Sequence, residues 1–351
     1  MKKICFVMTE AYPIISGKGQ HIGGAEFQSW LIGKELVKNG FKVFFIVRAP
    51  ENGIEIFDNV IIFKIKYKNP VTGYLKMLKA MIKINADIYY QRTGGFATVF
   101  VCFFCKIFKK GFVFHVSRDE QLDKGYPYDK HIFIKKFYET AVNLADTIIV
   151  QNKTQMKKIS YKRPFLIPNV IEVYNIVPKK ENFVLWVASI TGVKRPELFI
   201  KLAKKLPEYK FVMIGGPSDE KLYENIRKES KEIKNLKFLG FKPFKEADGY
   251  FKKAKIFVNT SSLEGFPNTF LQAWRYGTPV VSLDIDPDEI ICKYKLGFHS
   301  KIFDNMVKHV KLLMENEKLR KELGKNGRKY VEKNHNIKKI INEYVKIFEK
   351  N

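Results

Sequence analysis

The residues with the clearest chemical promise in this 351-residue chain lie between Ser261 and Ser282. Glu264 and Gln272 stand there with Gly265-Phe266-Pro267-Asn268 between them. If a helix opens between Gly265 and Asn268, those two side chains are separated by about 12 Å along its axis. A carboxylate and an amide so spaced could hold two hydroxyl groups at opposite ends of one ligand. The first free N–H groups of the helix could take an anionic group such as phosphate between them. Gly265 lets the backbone approach a ligand closely, and Pro267 suits the first helical turn. Gly277 suits the position just past the helix end, Thr278-Pro279 stops it, and Val280-Val281 enters a buried strand. An ordinary capped α/β turn has the same features, so the stretch alone leaves both readings open.

Other candidates fall at expected strand ends, where open α/β sheets bind ligands. Gly23-Gly24 precedes a helix over 25–39, without the G-x-G-x-x-G spacing of a dinucleotide turn. His115 closes a strand over 112–116, where a lone histidine is more often structural than catalytic. Arg118, Asp119 and Glu120 follow it, and Arg92 follows a strand over 87–91. Lys194 lies in the loop after a strand over 183–188. Gly215-Gly216 ends a strand over 209–214, and Gly240-Phe241 ends one over 236–239.

The elements that must position these groups alternate along the chain. Expected strands 4–9, 42–47, 61–65, 87–91, 112–116 and 147–151 interleave with helices 25–39, 73–84, 95–109 and 131–145. A polar stretch over 174–182 reads as a linker. A second series follows, with strands 183–188, 209–214, 236–239, 256–259 and 279–283. This length and alternation predict two α/β domains with parallel sheets covered on both faces. Residues 335–351 read as a charged helix.

Placed on that frame, the chain resembles the retaining GT-B glycosyltransferases of the family 4 (glycosyl transferases group 1) type. The resemblance is carried by Glu264-Gly265-Phe266-Pro267, Gln272-Ala273 and Gly277-Thr278-Pro279-Val280-Val281. The usual second glutamate is Gln272 here. Leu166-Ile167-Pro168-Asn169-Val170 is similar to the I-P-N-G-V segment that ends the first domain. Lys194 falls on the family's lysine, whereas Ser189 replaces the usual arginine. The resemblance implies two Rossmann-like domains with parallel sheets facing across a cleft: residues 1–170 for acceptor and 171–334 for the nucleotide-sugar donor. Residues 335–351 would then pack back on the first domain. It implies a metal-independent hexosyltransferase that uses a UDP- or GDP-linked sugar and no cofactor.

By the same resemblance, Glu264 holds sugar hydroxyls, Gln272 the ribose and Lys194 the diphosphate. Gly265, Phe266, Pro267 and Asn268 line the phosphates, and Ser189 stands where a second cation is usual. Gly23 and Gly24 approach the donor phosphates, and His115 contacts the sugar. Gly215, Gly240 and Phe241 border the nucleotide. The acceptor is expected to be lipid-linked or part of a polysaccharide or cell-surface glycan.

The formal net charge of +27 permits nucleic acid or an anionic membrane surface as partner, or simply a solvated lysine-rich surface. No nucleic-acid motif is present, so none is expected to bind. Phenylalanines in strand-like runs read as core. Four cysteines and six scattered histidines suggest a reducing, cytoplasmic setting, with the inner membrane face as a peripheral location, and no metal cluster. The apolar stretch at 96–105 falls short of the ~18 residues of a membrane span and reads as a buried helix. A rival reading keeps the fold but reduces activity to nucleotide-sugar binding, because Ser189 and Gln272 depart from the pattern. A nicotinamide oxidoreductase would need a glycine turn that the first unit lacks.

Overall fold

The computed structural model describes every residue except 18–22, 93, 128–131, 160–161, 176–177 and 351. The described residues form two compact units: those up to Val170 together with those from Ile337 onward, and Ile171–Asn336.

The first unit runs β1 (Lys3–Val7), α1 (Tyr12–Ser16), α2 (Gly24–Lys38), β2 (Lys42–Arg48), β3 (Gly53–Phe57) and β4 (Val60–Ile65). It continues α3 (Pro70–Ile84), β5 (Ile88–Gln91), α4 (Phe96–Ile107), β6 (Gly111–His115), α5 (Ile132–Leu144), β7 (Thr147–Val150), α6 (Lys153–Lys157) and β8 (Phe165–Leu166). The sheet order is β3-β4-β2-β1-β5-β6-β7-β8, parallel except where β3 pairs antiparallel with β4. The antiparallel edge departs from the all-parallel expectation. Unbroken apolar runs such as Val43–Val47 suit strands buried on both faces.

Side-chain alternation divides this sheet's core. Tyr89, Phe112 and Phe114 pack into one cluster with α3, α4 and α5. Tyr90 and His115 point to the opposite face, where Tyr344 and Phe348 approach them.

The second unit runs β9 (Phe183–Val187), α7 (Pro196–Lys205), β10 (Lys210–Ile214), α8 (Glu220–Lys231), β11 (Leu236–Phe238), α9 (Phe244–Lys253), β12 (Ile256–Asn259) and α10 (Asn268–Trp274). It ends with β13 (Val280–Ser282), α11 (Ile290–Lys293), β14 (Gly297–His299), α12 (Phe303–Glu315) and α13 (Glu317–Asn334). The closing helix α14 (Ile337–Lys350) belongs to the first unit, and it lies against α2. The sheet is all parallel, ordered β11-β10-β9-β12-β13-β14. Strand order therefore reverses between β9 and β12, which opens a crevice at their carboxyl ends.

The helix before β13 is held by close backbone packing. Gly277 takes φ +67° just past α10, and a Cβ on Gly324 of α13 would fall 2.1 Å from the Gly277 carbonyl oxygen. Gly324→Ala should therefore push α13 off the end of α10 and cost about 1–3 kcal/mol of stability. Chemical denaturation measures this, and an unchanged midpoint would contradict the contact.

Candidate active site

Two loops meet at the reversal point of the second sheet. The loop after β9 carries Ser189 to Arg195, and the loop after β12 carries Thr260 to Pro267. Thr260 stitches them: its hydroxyl donates to the Lys194 carbonyl at 2.7 Å and accepts from Trp186 Nε1 at 2.9 Å. Ser262 N donates to the Val193 carbonyl at 2.9 Å. Arg195, in the left-handed region at φ +46°, donates from Nε to the Thr260 carbonyl at 2.7 Å and pairs with Asp284 beyond β13. It fastens the loops, and its guanidinium is committed there.

This stitching brings Lys194 and Glu264 together. The Lys194 ammonium donates to Glu264 Oε1, which also accepts from the Ser261 hydroxyl at 2.9 Å. Their side chains are only 24% and 18% exposed. Removing either partner would leave the other charge poorly solvated. Ser261 is in turn set by Asn259, whose Oδ1 accepts from Ser261 N at 3.2 Å.

Residues 172–330 match the model of a family described as glycosyl transferases group 1. Those residues belong to that family. An uncharacterised glycosyltransferase of Methanocaldococcus jannaschii is 28% identical over 311 residues, 79% of this chain and 78% of the relative. Sucrose-phosphate synthase from Thermosynechococcus elongatus superposes with a TM-score of 0.81 at 14% identity, covering 100% of this chain and 99% of that one. Anabaena HepE in complex with UDP-glucose superposes with a TM-score of 0.73 at 15% identity, covering 100% of both chains. These likenesses establish the fold, which is GT-B.

The remaining group 1 signature residues are placed unevenly. α10 begins at Asn268 with Pro267 as its cap, so Gly265, Phe266 and Pro267 lie in the turn outside it. The expected separation of Glu264 and Gln272 along one axis therefore does not hold, because Glu264 precedes the helix by four residues. Gln272 is 6% exposed, and its amide has no hydrogen bond among the described residues. Phe266 stacks obliquely on His335, with ring centroids 5.1 Å apart.

Ser189 is half-buried in the loop leading to Lys194. A Cβ on Gly215 would meet the Ala188 carbonyl oxygen at 2.3 Å, so glycine is needed there for close strand-end packing. Gly240 has φ +63° and its carbonyl accepts from Gly215 N at 3.0 Å, which joins two of the expected nucleotide-bordering loops. Phe241 follows, half-buried.

In the first unit, Gly23 caps α2 and Gly24 is its first residue. A Cβ on Gly23 would fall 1.9 Å from Glu26 Oε2, so the Glu26 carboxylate lies against this helix start. His115 has no exposed surface: Nδ1 pairs with Tyr90 Oη at 2.6 Å, and Nε2 meets no partner among the described residues. That is the setting of a core histidine, and a sugar contact would require its face of the sheet to open. Arg92 is buried on the same side and donates to Asn169 Oδ1 at 2.5 Å. Gln28 clamps the next residue, with Nε2 donating to the Val170 carbonyl at 2.8 Å and Oε1 accepting from Val170 N at 2.7 Å.

One cluster departs from the expected absence of metal ligands: single ligand atoms of Asp286, Cys292 and His299 lie within 4.8 Å of one another. The Asp286 carboxylate already accepts from Ile291 N at 2.7 Å and Cys292 N at 3.4 Å, which holds the start of α11. The grouping thus has a structural explanation.

Burial, and secondarily the Arg92 charge, pull the His115 pKa well below its ordinary value. The unfolded chain takes up a proton below about pH 6.5 that the native imidazole refuses. Stability from the neutral ring is complete above that pH and is lost as pH falls. His115→Gln should flatten this acid limb of a denaturation-midpoint profile, and an unchanged limb would show that His115 protonates freely in the folded state.

Proposed function

We propose that this protein is a retaining glycosyltransferase that moves a hexose from a UDP- or GDP-linked donor to a glycan acceptor. The observation that carries this reading is the Lys194–Glu264 pair at the reversal point between β9 and β12. One cation and one carboxylate there match the two needs of a sugar diphosphate: charge compensation for the leaving group and hydrogen-bond acceptors for sugar hydroxyls. Glu264 grips the sugar. Lys194 turns from Glu264 toward the diphosphate as negative charge develops on it. Gln272, buried and with no hydrogen bond among the described residues, takes the ribose diol, accepting through its oxygen and donating through its nitrogen.

In the reaction the bond from the anomeric carbon to the phosphate oxygen breaks. The acceptor hydroxyl bonds to that carbon on the same face, and its proton passes to the departing diphosphate. No metal is required in this scheme, since Lys194 supplies the compensating charge. The excess of cations over the chain supports an acceptor that is lipid-linked or part of a cell-surface polysaccharide.

Glu264→Gln should keep the fold and nucleoside diphosphate binding while reducing transfer about 100-fold, the scale on which one transition-state contact is lost. Lys194→Ala should weaken nucleoside diphosphate far more than nucleoside, because Ser189 supplies no second charge. Thermal shifts against a panel of nucleotides and their sugars, followed by turnover with the stabilising donor, decide the matter. Near-normal turnover by the Glu264 variant would overturn the assignment of Glu264. Equal losses for diphosphate and nucleoside would place Lys194 away from the phosphates. Donor binding without turnover in the unaltered protein would leave a sugar-nucleotide binder.

A further inference from the structure

One layer of the first unit leaves its outer face apolar. Among the described residues, 22 large hydrophobic side chains are exposed, and ten of them lie on α3, α4, α5 and the Phe108 cap of α4. These helices adjoin: Tyr74 of α3 packs on Phe96 and Phe100 of α4, and Phe103 of α4 meets Phe137 of α5. All three share the core cluster beneath.

Their outward stripes follow helical periodicity. On α4, Phe96, Phe100, Phe103 and Ile107 recur along one side, and Ile107 is 73% exposed. On α5, Ile132, Phe133, Phe137 and Leu144 are exposed, and on α3 so are Val71, Leu75 and Ile82. An outward stripe of this kind on a single folded unit marks an interaction face.

Charge selects the partner. Lysine is the basic residue of this layer, with exposed Lys79, Lys83, Lys109 and Lys136 beside the apolar stripes. The acidic residue within the three helices is Glu139, and it is occupied in accepting from Gly125 N at 3.2 Å. Among the described residues no helix is long and apolar enough to cross a membrane. Rings flanked by lysines suit a helix layer lying in a lipid interface, with side chains among the acyl chains and ammonium groups at anionic headgroups. A second copy of this chain is a poorer occupant, since it would bring another such row of lysines to the same contact.

The geometry points to the α3–α4–α5 face as the surface that docks this protein on an anionic lipid bilayer. It deepens the lipid-linked acceptor reading and rests on it only for where the protein works, because vesicle binding is measured without any transfer.

The test is co-sedimentation with vesicles of phosphatidylcholine alone, or of phosphatidylcholine with phosphatidylglycerol, at low and physiological salt. The unaltered protein should bind the anionic vesicles, ignore the neutral ones and be weakened by salt. Lys79→Gln, Lys109→Gln and Lys136→Gln should each weaken binding roughly fivefold. Replacing Ile107, Phe133 and Phe137 together by serine should cost at least about tenfold from lost apolar insertion. Phe133→Trp should show a blue-shifted emission on adding anionic vesicles, against the buried Trp30, Trp186 and Trp274. A thermal shift with nucleoside diphosphate confirms that each variant is folded.

Failure of the unaltered protein to bind anionic vesicles at low salt overturns the proposal, as does a serine variant that binds like the parent. A serine variant that merely converts a dimer to a monomer, without vesicle binding by either, assigns the face to self-association and overturns it too. If no nucleotide stabilises any form while vesicle binding follows the expected pattern, the docking face stands and the donor reading falls.

Discussion

The second unit is organised around one constraint, the joining of the loops that follow β9 and β12. Neither loop contains regular structure long enough to fix itself. Their shape comes from Thr260, which bonds to Trp186 on one side and to the Lys194 backbone on the other, and from Arg195, which spans to Thr260 and Asp284. Once they are joined, Lys194 and Glu264 have little choice but to meet. Both charges lose most of their solvent there, and each then depends on the other and on Ser261. The proposed donor would meet both halves of this pair, a diphosphate offering Lys194 a stronger anion and sugar hydroxyls giving Glu264 donors to replace the ammonium.

The strand pattern explains why the pair sits at this place. Residues that follow β9 and β12 are far apart in sequence, yet those strands are neighbours only at the reversal of sheet order. Side chains from both loops can converge there without crossing a strand between them. Gly215 and Gly240 contribute by letting adjacent strand ends approach, the first because a Cβ would strike the Ala188 carbonyl and the second through its positive φ. Their role in backbone packing does not compete with a place beside a nucleotide, since the same close approach leaves the backbone open to a ligand.

Much of this was legible in the sequence, and the parts that were not share physical causes. Apolar runs flanked by turn residues marked the central strands, because strands buried on both faces carry continuous hydrophobic sequence. β3 was missed: Gly-Ile-Glu-Ile-Phe carries strand-forming residues, but it is a short edge strand with most of its residues exposed and lacks the continuous apolar run that marked the central strands. Glu264 and Lys194 were singled out by the family resemblance, whereas Ser261 and Thr260 were not, because their contacts are hydrogen bonds between loops distant in sequence. Only the fold shows Asp284 and the Thr260 carbonyl within reach of Arg195. His115 illustrates a different limit. A position at a strand end is visible in sequence, whereas the face to which its side chain turns depends on a one-residue phase. Phe112 and Phe114 share the phase of α3–α5, and His115 takes the other, under α14.

That division of faces also explains the phenylalanine content of the first unit. The face that holds Tyr90 and His115 is closed by α2 and by α14, which returns after the whole second unit to bury Tyr344 and Phe348. Nothing in the described chain plays the same part over α3, α4 and α5. The sequence assigned Phe96 and its neighbours wholly to the core, yet α4 is apolar on both its inner and outer sides, and among the described residues no further layer covers the outer stripe. For a helix in water such a stripe is a cost, since each exposed apolar group gives up the free energy of burial. The lysines beside it keep the face hydrated when it is free, and their methylene stems can lie along the rings while the ammonium groups reach outward. An apolar stripe bordered by flexible cations therefore remains compatible with water and gains most where apolar and anionic groups occur together, which is the composition of a charged lipid interface.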